Sequence, residues 1–192
     1  MWDRATGTPV GPALGWQDLR TVIQCMTAKA EHGIGLAPNQ TATKAQWLLD
    51  QFDAGRERDL CIGTVDTWIA WVLSNGTTHA TDHTNAAVTG LCLADASGWS
   101  PTTCAALNVP VTMLPTIVET SGAFGLAHAL PGAPPMTALV GDQQASLVGQ
   151  SCVSPGLAKI TFGTGGMLDM CTGPTPPASG ARTAAGTFPI VA

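Results

Sequence analysis

Two segments in the second half of this 192-residue chain constrain its fold more than any other feature. The first, 138–150 (ALVGDQQASLVGQ), predicts a short apolar strand, a turn that carries Asp142, and a helix. The second, 159–170 (KITFGTGGMLDM), predicts two strands joined by a Gly-Thr-Gly turn. A carboxylate beside backbone N–H groups that hold an anion is what phosphoryl transfer to a hydroxyl requires. The pair therefore favours an α/β protein with a phosphotransfer site.

Asp142 has two interpretations from its local sequence. A carboxylate at the carboxyl end of a strand and the start of a helix lies where open α/β sheets bind ligands. There it would accept a hydroxyl proton during attack on phosphorus and help to orient Mg2+. The other interpretation is an ordinary helix N-cap, because Asp serves well before Gln-Gln-Ala-Ser-Leu. Both interpretations stay open at this point.

The turn at Gly163, Thr164 and Gly165 also has two interpretations. Its backbone N–H groups and the Thr164 hydroxyl suit a phosphate, whereas its glycines equally suit a hairpin turn with positive φ. No lysine follows the glycines as in a Walker A loop, and no GxGxxG follows the first strand. Asp169, just beyond, is interpreted as a strand-edge or capping residue rather than a catalyst.

The composition excludes several classes of protein. Apolar residues make up 45% and charged residues 11%, which is typical of a well-packed globular chain. The formal net charge is −5 with eight scattered Lys and Arg, so we expect no nucleic-acid partner. No apolar run approaches the length of a membrane span, and the six cysteines show no zinc-ligand spacing. We expect reduced, buried cysteines, no membrane partner and a cytoplasmic location.

Periodicity places several candidate residues on local elements. A helix is predicted over 15–32, with Trp16 on it as a core residue, and another from about Thr43 to Phe52. Asp66 is predicted to cap a helix that runs through 68–73. The stretch 81–85 (TDHTN) is predicted as a polar loop in which His83 suits hydrogen bonding to small polyols. A strand is predicted over 137–140, and a domain boundary near 151 separates 1–151 from 152–192.

Five stretches taken together resemble the FGGY family of carbohydrate kinases, and within it the members that phosphorylate glycerol. They are TGTP through WQDLRT (6–21), ATKAQWLLD (42–50), GTVDTWIAW (63–71), TDHTNA (81–86), and GDQQA (141–145) followed by GTG (163–165). They cover nearly the whole chain, and their order and spacing are far more specific than any single motif.

The resemblance implies a fold and a reaction. The fold would be α/β, an actin-like ATPase (ribonuclease H-like) fold, present in part: most of the N-terminal lobe and the start of the C-terminal lobe. Residues 1–151 would form part of the polyol-binding lobe, and residues 152–192 would begin the nucleotide-binding lobe. The reaction would be phosphorylation of a terminal hydroxyl of glycerol or a similar polyol by ATP with Mg2+. The full-length protein would form a homo-oligomer.

The resemblance also implies a role for each matching residue. Asp142 matches the catalytic base, which is also the carboxylate near Mg2+, and Gln143 matches its neighbour that hydrogen-bonds the polyol. Trp16 matches the aromatic wall of the polyol pocket. The nucleotide-phosphate loop corresponds to Gly163, Thr164 and Gly165.

Two substitutions depart from the glycerol-phosphorylating members. His83 stands where they have a tyrosine that bonds a glycerol hydroxyl, and Met167 stands where a phenylalanine packs on the glycerol carbons. Erythritol, xylulose or another polyol is therefore an alternative substrate. We also expect the family's first phosphate hairpin and its Arg-Glu pair to precede Met1, and the adenine site to follow Ala192. A segment without them would be inactive alone, and a non-catalytic remnant is the other alternative.

Overall fold

The computed structural model describes residues 1–163 and 165–175. These residues form six α-helices and six short strands in mixed order along the chain. The helices are α1 Val22–His32, α2 Thr41–Phe52, α3 Val65–Leu73, α4 His83–Ala87, α5 Pro101–Ala106 and α6 Asp142–Gly149. The strands are β1 Trp2–Asp3, β2 Leu60–Cys61, β3 Ala80–Asp82, β4 Thr116–Val118, β5 Ala158–Phe162 and β6 Gly166–Met170.

The described strands pair two by two. β1 is antiparallel to β2, and β3 is parallel to β4, which starts more than thirty residues later, at Thr116. β5 and β6 form an antiparallel hairpin with Lys159 opposite Asp169 and Thr161 opposite Met167. Because side chains alternate along a strand, these four residues share one face of the hairpin.

The main hydrophobic core lies between α1, α2, β2 and α5. Its buried members come from those elements and from the segments that follow α4 and α5. They are Ala28, Ala42, Ala45, Leu49, Leu60, Ile62, Leu91, Cys104, Leu107, Val109, Met113 and Leu114. This burial supplies most of the driving force that holds the N-terminal two thirds of the chain together.

A second cluster joins β1, α3 and β3 through aromatic rings. Trp2 is buried and contacts Trp68 edge-on at a centroid distance of 4.9 Å and Trp71 at 5.7 Å. His79 lies edge-on to both Trp2, at 5.5 Å, and Trp71, at 6.0 Å. Its Nε2 lies 3.0 Å from the carbonyl oxygen of Ile62, so that nitrogen carries the proton.

The predicted first helix begins later than its spacing indicates. α1 starts at Val22, and residues 15–21 form turns in which Asp18 accepts from the backbone N–H of Arg20 at 3.0 Å. The buried Lys44 also donates to the carbonyl oxygen of Gly15 at 2.6 Å. These bonds compete with the hydrogen bonds of a helix for the same backbone groups, so residues 15–21 are not helical. The prediction that places Trp16 on a helix is therefore wrong.

The second and third helices agree with their predictions in extent, but the cap predicted for the third is not the one observed. α2 starts at Thr41, within two residues of the expected Thr43. The N-cap of α3 is Thr64, so the prediction that Asp66 caps it is wrong. Asp66 instead lies in the first turn and accepts from the hydroxyls of Thr64 and Thr81. Its burial raises the pKa of the carboxyl above its usual range.

Two further predictions are altered by tertiary contacts. The segment 137–140 is extended but pairs through a single bridge, Ser121 with Ala138, instead of forming a strand. Residues 83–87 form the short helix α4 where the sequence indicates a polar loop. The six cysteines are free thiols, and Cys25, Cys61 and Cys104 are buried as expected while the other three are half-buried.

None of the helices in the described part of the chain has both the length and the apolar character needed to cross a bilayer.

Candidate functional site

Asp142 is the first residue of α6, and Gly141 is the N-cap. The strict N-cap interpretation of Asp142 is therefore wrong. Its Oδ1 accepts the backbone N–H of Gln143 at 2.8 Å, and the side chain is exposed. Oδ2 accepts from Gln143 Nε2 at 3.5 Å, a long hydrogen bond that leaves this oxygen able to take up a substrate proton.

The turn that carries Asp142 is held by a buried carboxylate. Thr84 Oγ1 accepts the backbone N–H of Gly141 at 2.7 Å and itself donates to Asp82 Oδ2 at 2.8 Å. Asp82 is 0% exposed and also accepts from the hydroxyl of Thr120 at 2.8 Å. Its other oxygen accepts from the backbone N–H of Asn85 at 3.1 Å, so Asp82 caps α4. One carboxylate therefore joins α4, the segment after β4 and the Asp142 turn.

Gly141 lies close to two side chains at this turn. A Cβ at this position would lie 2.6 Å from Gln144 Oε1, the end of a flexible side chain, and 3.3 Å from Thr84 Oγ1. A larger residue would therefore displace the Gln144 amide and crowd the Thr84 hydroxyl that binds the turn.

Gln143 faces the β5–β6 hairpin. Its Oε1 accepts from Lys159 Nζ at 2.5 Å, and its Nε2 lies 3.5 Å from Asp142 Oδ2. Lys159 is 6% exposed and donates to Thr161 Oγ1 at 2.7 Å as well. Its Nζ lies 2.9 Å from Asp169 Oδ2 on the neighbouring strand. The expectation that Asp169 is a strand residue without catalytic contact agrees with this ion pair.

The hairpin brings the glycine turn to the same part of the molecule as Gln143. Gly163 and Gly165 are exposed, and the N–H of Gly163 donates to the carbonyl of Gly165 at 3.0 Å. No atom lies within 4 Å of a Cβ built on Gly165. Thr164 lies outside the described residues. Met167 is 41% exposed on the face of the hairpin that carries Lys159.

His83 lies beside this network as the first residue of α4. Its Nδ1 lies 2.9 Å from the carbonyl oxygen of Ala96, and a carbonyl only accepts, so Nδ1 carries a proton. Nε2 lies 3.7 Å from the exposed carboxylate of Glu119. In the neutral ring, Nε2 is therefore an acceptor.

Trp16 is 56% exposed in the turn that precedes α1, so the prediction of a core residue is wrong. The bond from Lys44 to Gly15 holds this turn, and Arg20 stacks over the Trp47 ring at 4.7 Å nearby. The structure thus brings Asp142 and Gln143 next to the face of the β5–β6 hairpin that also carries Met167. His83 is the neighbour in α4 of Thr84, which binds the turn before Asp142. Trp16 is not part of that network of bonds.

The residues 1–163 and 165–175 contain no group of three or more His, Cys, Asp or Glu side chains arranged to hold a metal ion. Asp142 is a single exposed carboxylate. Mg2+ in phosphotransferases is held by one or two carboxylates together with substrate phosphates, so this donor set fits that mode of binding.

Sequence reasoning missed the residues that position the site, namely Asp82, Thr84 and Lys159. Two signals were available. Asp82 precedes His-Thr-Asn in a capping pattern, and Lys159 is a lone cation in the strand sequence Ala-Lys-Ile-Thr-Phe. Their partners in space, such as Thr120 and Gln143, were not visible from the sequence.

Comparison with known proteins assigns the fold. The crystal structure of Plasmodium falciparum glycerol kinase with ADP superposes with a TM-score of 0.80 at 29% identity, covering 87% of this chain and 36% of that one. A xylulose kinase from Rhodospirillum rubrum superposes with a TM-score of 0.76 at 17% identity, over 87% of this chain and 38% of that one. The fold is therefore that of the actin-like α/β sugar kinases.

Sequence comparison places the chain within that class. The N-terminal domain of the FGGY family of carbohydrate kinases matches residues 1–149. The glycerol kinase of Alkalilimnicola ehrlichii is 41% identical over 95% of this chain and 40% of its own length. That of Roseobacter denitrificans is 40% identical over the same shares. The chain belongs to the FGGY family of carbohydrate kinases, and it spans about 40% of the length of these relatives.

Proposed function

We propose that the protein containing this chain phosphorylates a terminal hydroxyl of glycerol with ATP as the donor. The observation that carries the proposal is the exposed Asp142 carboxylate, which is held at the start of α6 beside the hairpin with the Gly163–Gly165 turn. The glycerol kinases that match 95% of the chain support glycerol as the acceptor.

In this proposal Asp142 Oδ2 accepts the proton of the attacking hydroxyl. Oδ1 accepts the backbone N–H of Gln143 at 2.8 Å, whereas Oδ2 has only the long contact with Gln143 Nε2 at 3.5 Å and is the oxygen that would face the hydroxyl. The Thr84–Gly141 bond and the buried Asp82 hold the turn, so Asp142 does not have to be ordered when substrate arrives. Gln143 and Met167 would contact the polyol, with Trp16 as an aromatic wall and His83 as a polar contact.

ATP and Mg2+ would supply the phosphoryl group and neutralise the charge that develops on it. The exposed backbone at Gly163 and Gly165, with the intervening Thr164, would hold the nucleotide phosphates. Asp142 would be the protein carboxylate nearest the metal ion.

The proposal extends to the lobes, the location and the assembly of the protein. Residues 1–151 would belong to the polyol-binding lobe, and residues 152–192 would begin the nucleotide-binding lobe. The protein would act in the cytoplasm, and its full-length form would be a homo-oligomer without nucleic-acid or membrane partners.

The first test is Asp142→Asn in the full-length gene product obtained from the flanking DNA. Because Asn accepts no proton at neutral pH, we expect kcat for glycerol to fall by about 10²- to 10⁴-fold. ADP release is measured in a coupled assay with glycerol, erythritol and xylulose as acceptors. If the variant phosphorylates glycerol as fast as the wild type, Asp142 is not the catalytic base.

A second acceptor is favoured by one observation. The Ala96 carbonyl binds Nδ1 of His83 and so leaves Nε2 for a substrate hydroxyl, at the position where the resemblance implies a tyrosine in the glycerol-phosphorylating members. A longer polyol such as erythritol or xylulose has additional hydroxyl donors for this nitrogen. Turnover on one of these but not on glycerol would keep the Asp142 mechanism and change the substrate.

A further inference from the structure

Lys159 connects three elements of the site through one ammonium group. Its Nζ lies 2.5 Å from Gln143 Oε1, 2.7 Å from Thr161 Oγ1 and 2.9 Å from Asp169 Oδ2. The contacts with Gln143 and Thr161 are hydrogen bonds, whereas the contact with Asp169 is an ion pair, since Asp169 Oδ2 accepts no hydrogen bond from the described residues. The Lys159 side chain is 4% exposed, so water competes little for these contacts. The ammonium is therefore a buried cation held by two acceptors and one counter-charge.

This contact determines which way the Gln143 carboxamide is turned. Lys159 can only donate, so the atom 2.5 Å from its Nζ has to be the amide oxygen. The reverse orientation would place an NH2 group against an ammonium at that distance. The NH2 of Gln143 therefore points toward Asp142, where Nε2 lies 3.5 Å from Oδ2.

Asp169 gives the arrangement its charge balance. It lies directly opposite Lys159 in the β5–β6 register, with 17% of its side chain exposed. A buried ammonium without a counter-charge is strongly unfavourable, and Asp169 supplies that counter-charge. Lys159 then reaches across from the hairpin to α6.

We propose that Lys159 is a positioning residue that sets the orientation of the Gln143 carboxamide and ties the start of α6 to the β5–β6 hairpin. Gln143 then presents N–H donors to the substrate beside the acceptor oxygen of Asp142. A hydroxyl between them gives its proton to Asp142 and accepts an N–H from Gln143. This inference rests on the proposed kinase function for its catalytic consequence, but its structural part does not.

The same contact gives the hairpin a second role. β5 and β6 carry the Gly163–Gly165 turn at one end and Lys159 near the other. A bond from Lys159 to Gln143 therefore links the proposed phosphate turn to the proposed base turn through a rigid two-stranded ribbon. Loss of this bond would uncouple the two turns, while Thr84 still holds the first and the β5–β6 pairing the second.

The experiment compares three variants. Lys159→Met removes the three donors while keeping an apolar stem of similar length. Gln143→Glu keeps an acceptor for Lys159 but has no N–H donor. Lys29→Met is the matched control, because Lys29 is exposed on α1. The purified 192-residue chain is studied by NMR of the Gln143 side-chain amide and by hydrogen exchange over 158–170, and the full-length gene product by kinetics.

We expect Lys159→Met to shift the Gln143 side-chain resonances, to speed exchange in the hairpin, and to lower kcat by about 10- to 100-fold. Gln143→Glu should lower kcat comparably but leave the hairpin protected. Lys29→Met should match the wild type in every measurement.

The outcomes separate this inference from the proposed function. If the full-length protein phosphorylates none of the three polyols, the resonances and exchange rates still decide whether Lys159 orients Gln143. Unchanged resonances and exchange in Lys159→Met would overturn the inference even in an active kinase. If Lys159→Met does not fold, loss of hairpin protection in Gln143→Glu would overturn it, since that variant retains the acceptor.

Discussion

At the scale of single residues, the most consequential side chain is one that touches no substrate. Asp82 is fully buried, and its two oxygens accept from Thr84, Asn85 and Thr120. Thr84 in turn holds Gly141, the residue before the proposed base. The position of Asp142 therefore depends on a carboxylate sixty residues earlier in the chain.

Asp82→Asn should destabilise the protein while changing its shape very little. In the native protein, Asp82 Oδ2 accepts hydrogen bonds from Thr84 and Thr120. In the variant an NH2 group takes the place of Oδ2, and it cannot accept these bonds. Leaving these buried groups without an acceptor costs about 2–4 kcal/mol. The free energy of unfolding in urea, measured for the purified chain, checks this value.

The matched control is Asp95→Asn. Asp95 is exposed and accepts only from its neighbour Ser97, a local turn that Asn forms equally well. We expect a change within about 0.5 kcal/mol. Equal stability of the two variants would contradict the assigned role of Asp82.

At the scale of elements, the contact between β1, α3 and β3 depends on a neutral histidine. His79 lies edge-on to Trp2 and Trp71, its Nε2 donates to Ile62, and its Nδ1 faces Arg4 at 3.4 Å. Burial, together with the charge of Arg4, lowers the pKa of His79 below its usual range, against the opposing effect of the Ile62 bond. Protonation would place a cation among these rings and beside a guanidinium.

This arrangement predicts a loss of stability in mild acid. Since the pKa of His79 is lower in the folded than in the unfolded chain, the unfolded chain binds the proton first. His79 therefore contributes its full stabilisation above about pH 6.5, and that contribution is lost as the pH falls from there toward the lowered folded pKa. Urea unfolding at several pH values between 7.5 and 5 on the purified chain measures the effect.

His79→Gln should flatten the pH dependence in that range, because glutamine still donates to the Ile62 carbonyl but does not titrate. His32→Gln, at the exposed end of α1, is the control and should leave the wild-type slope in place. A slope that persists in His79→Gln would assign the acid sensitivity to another group.

At the scale of the whole molecule, the chain spans about 40% of the length of the glycerol kinases it matches. The β5–β6 hairpin also exposes apolar side chains. Ile160, Phe162 and Leu168 lie on the face opposite to Lys159 and are exposed. In the full-length proteins of the family such a face has further chain available to cover it.

We expect the purified 192-residue chain to show no detectable phosphorylation of glycerol under conditions in which the full-length gene product turns over. Phosphoryl transfer requires both reactants to be held within a fraction of an ångström, and a partial cleft does not achieve this. The coupled ADP-release assay compares the two proteins at equal concentration. Clear activity of the shorter chain would show that it contains a complete site.

Local features of the fold and the site were predictable because they depend on neighbouring residues. The β5–β6 hairpin follows from its glycine turn between two strand-like runs and α2 from its periodicity, and the structure agrees with both. The class of the protein followed from the order of five motifs, which the comparisons confirm. The roles of Asp142, Gln143 and the glycine turn stay predictions.

Tertiary structure alone decided how those pieces are held. The start of α1 moved to Val22 because turn hydrogen bonds and the Lys44 ammonium hold the backbone of residues 15–20 in another conformation. The orientation of Gln143 depends on Lys159, and the place of Asp142 depends on Asp82. The sequence by itself determined which residues are present and which short elements they form. Hydrogen bonds between distant residues decided the geometry, because direction and distance arise only when the chain is folded.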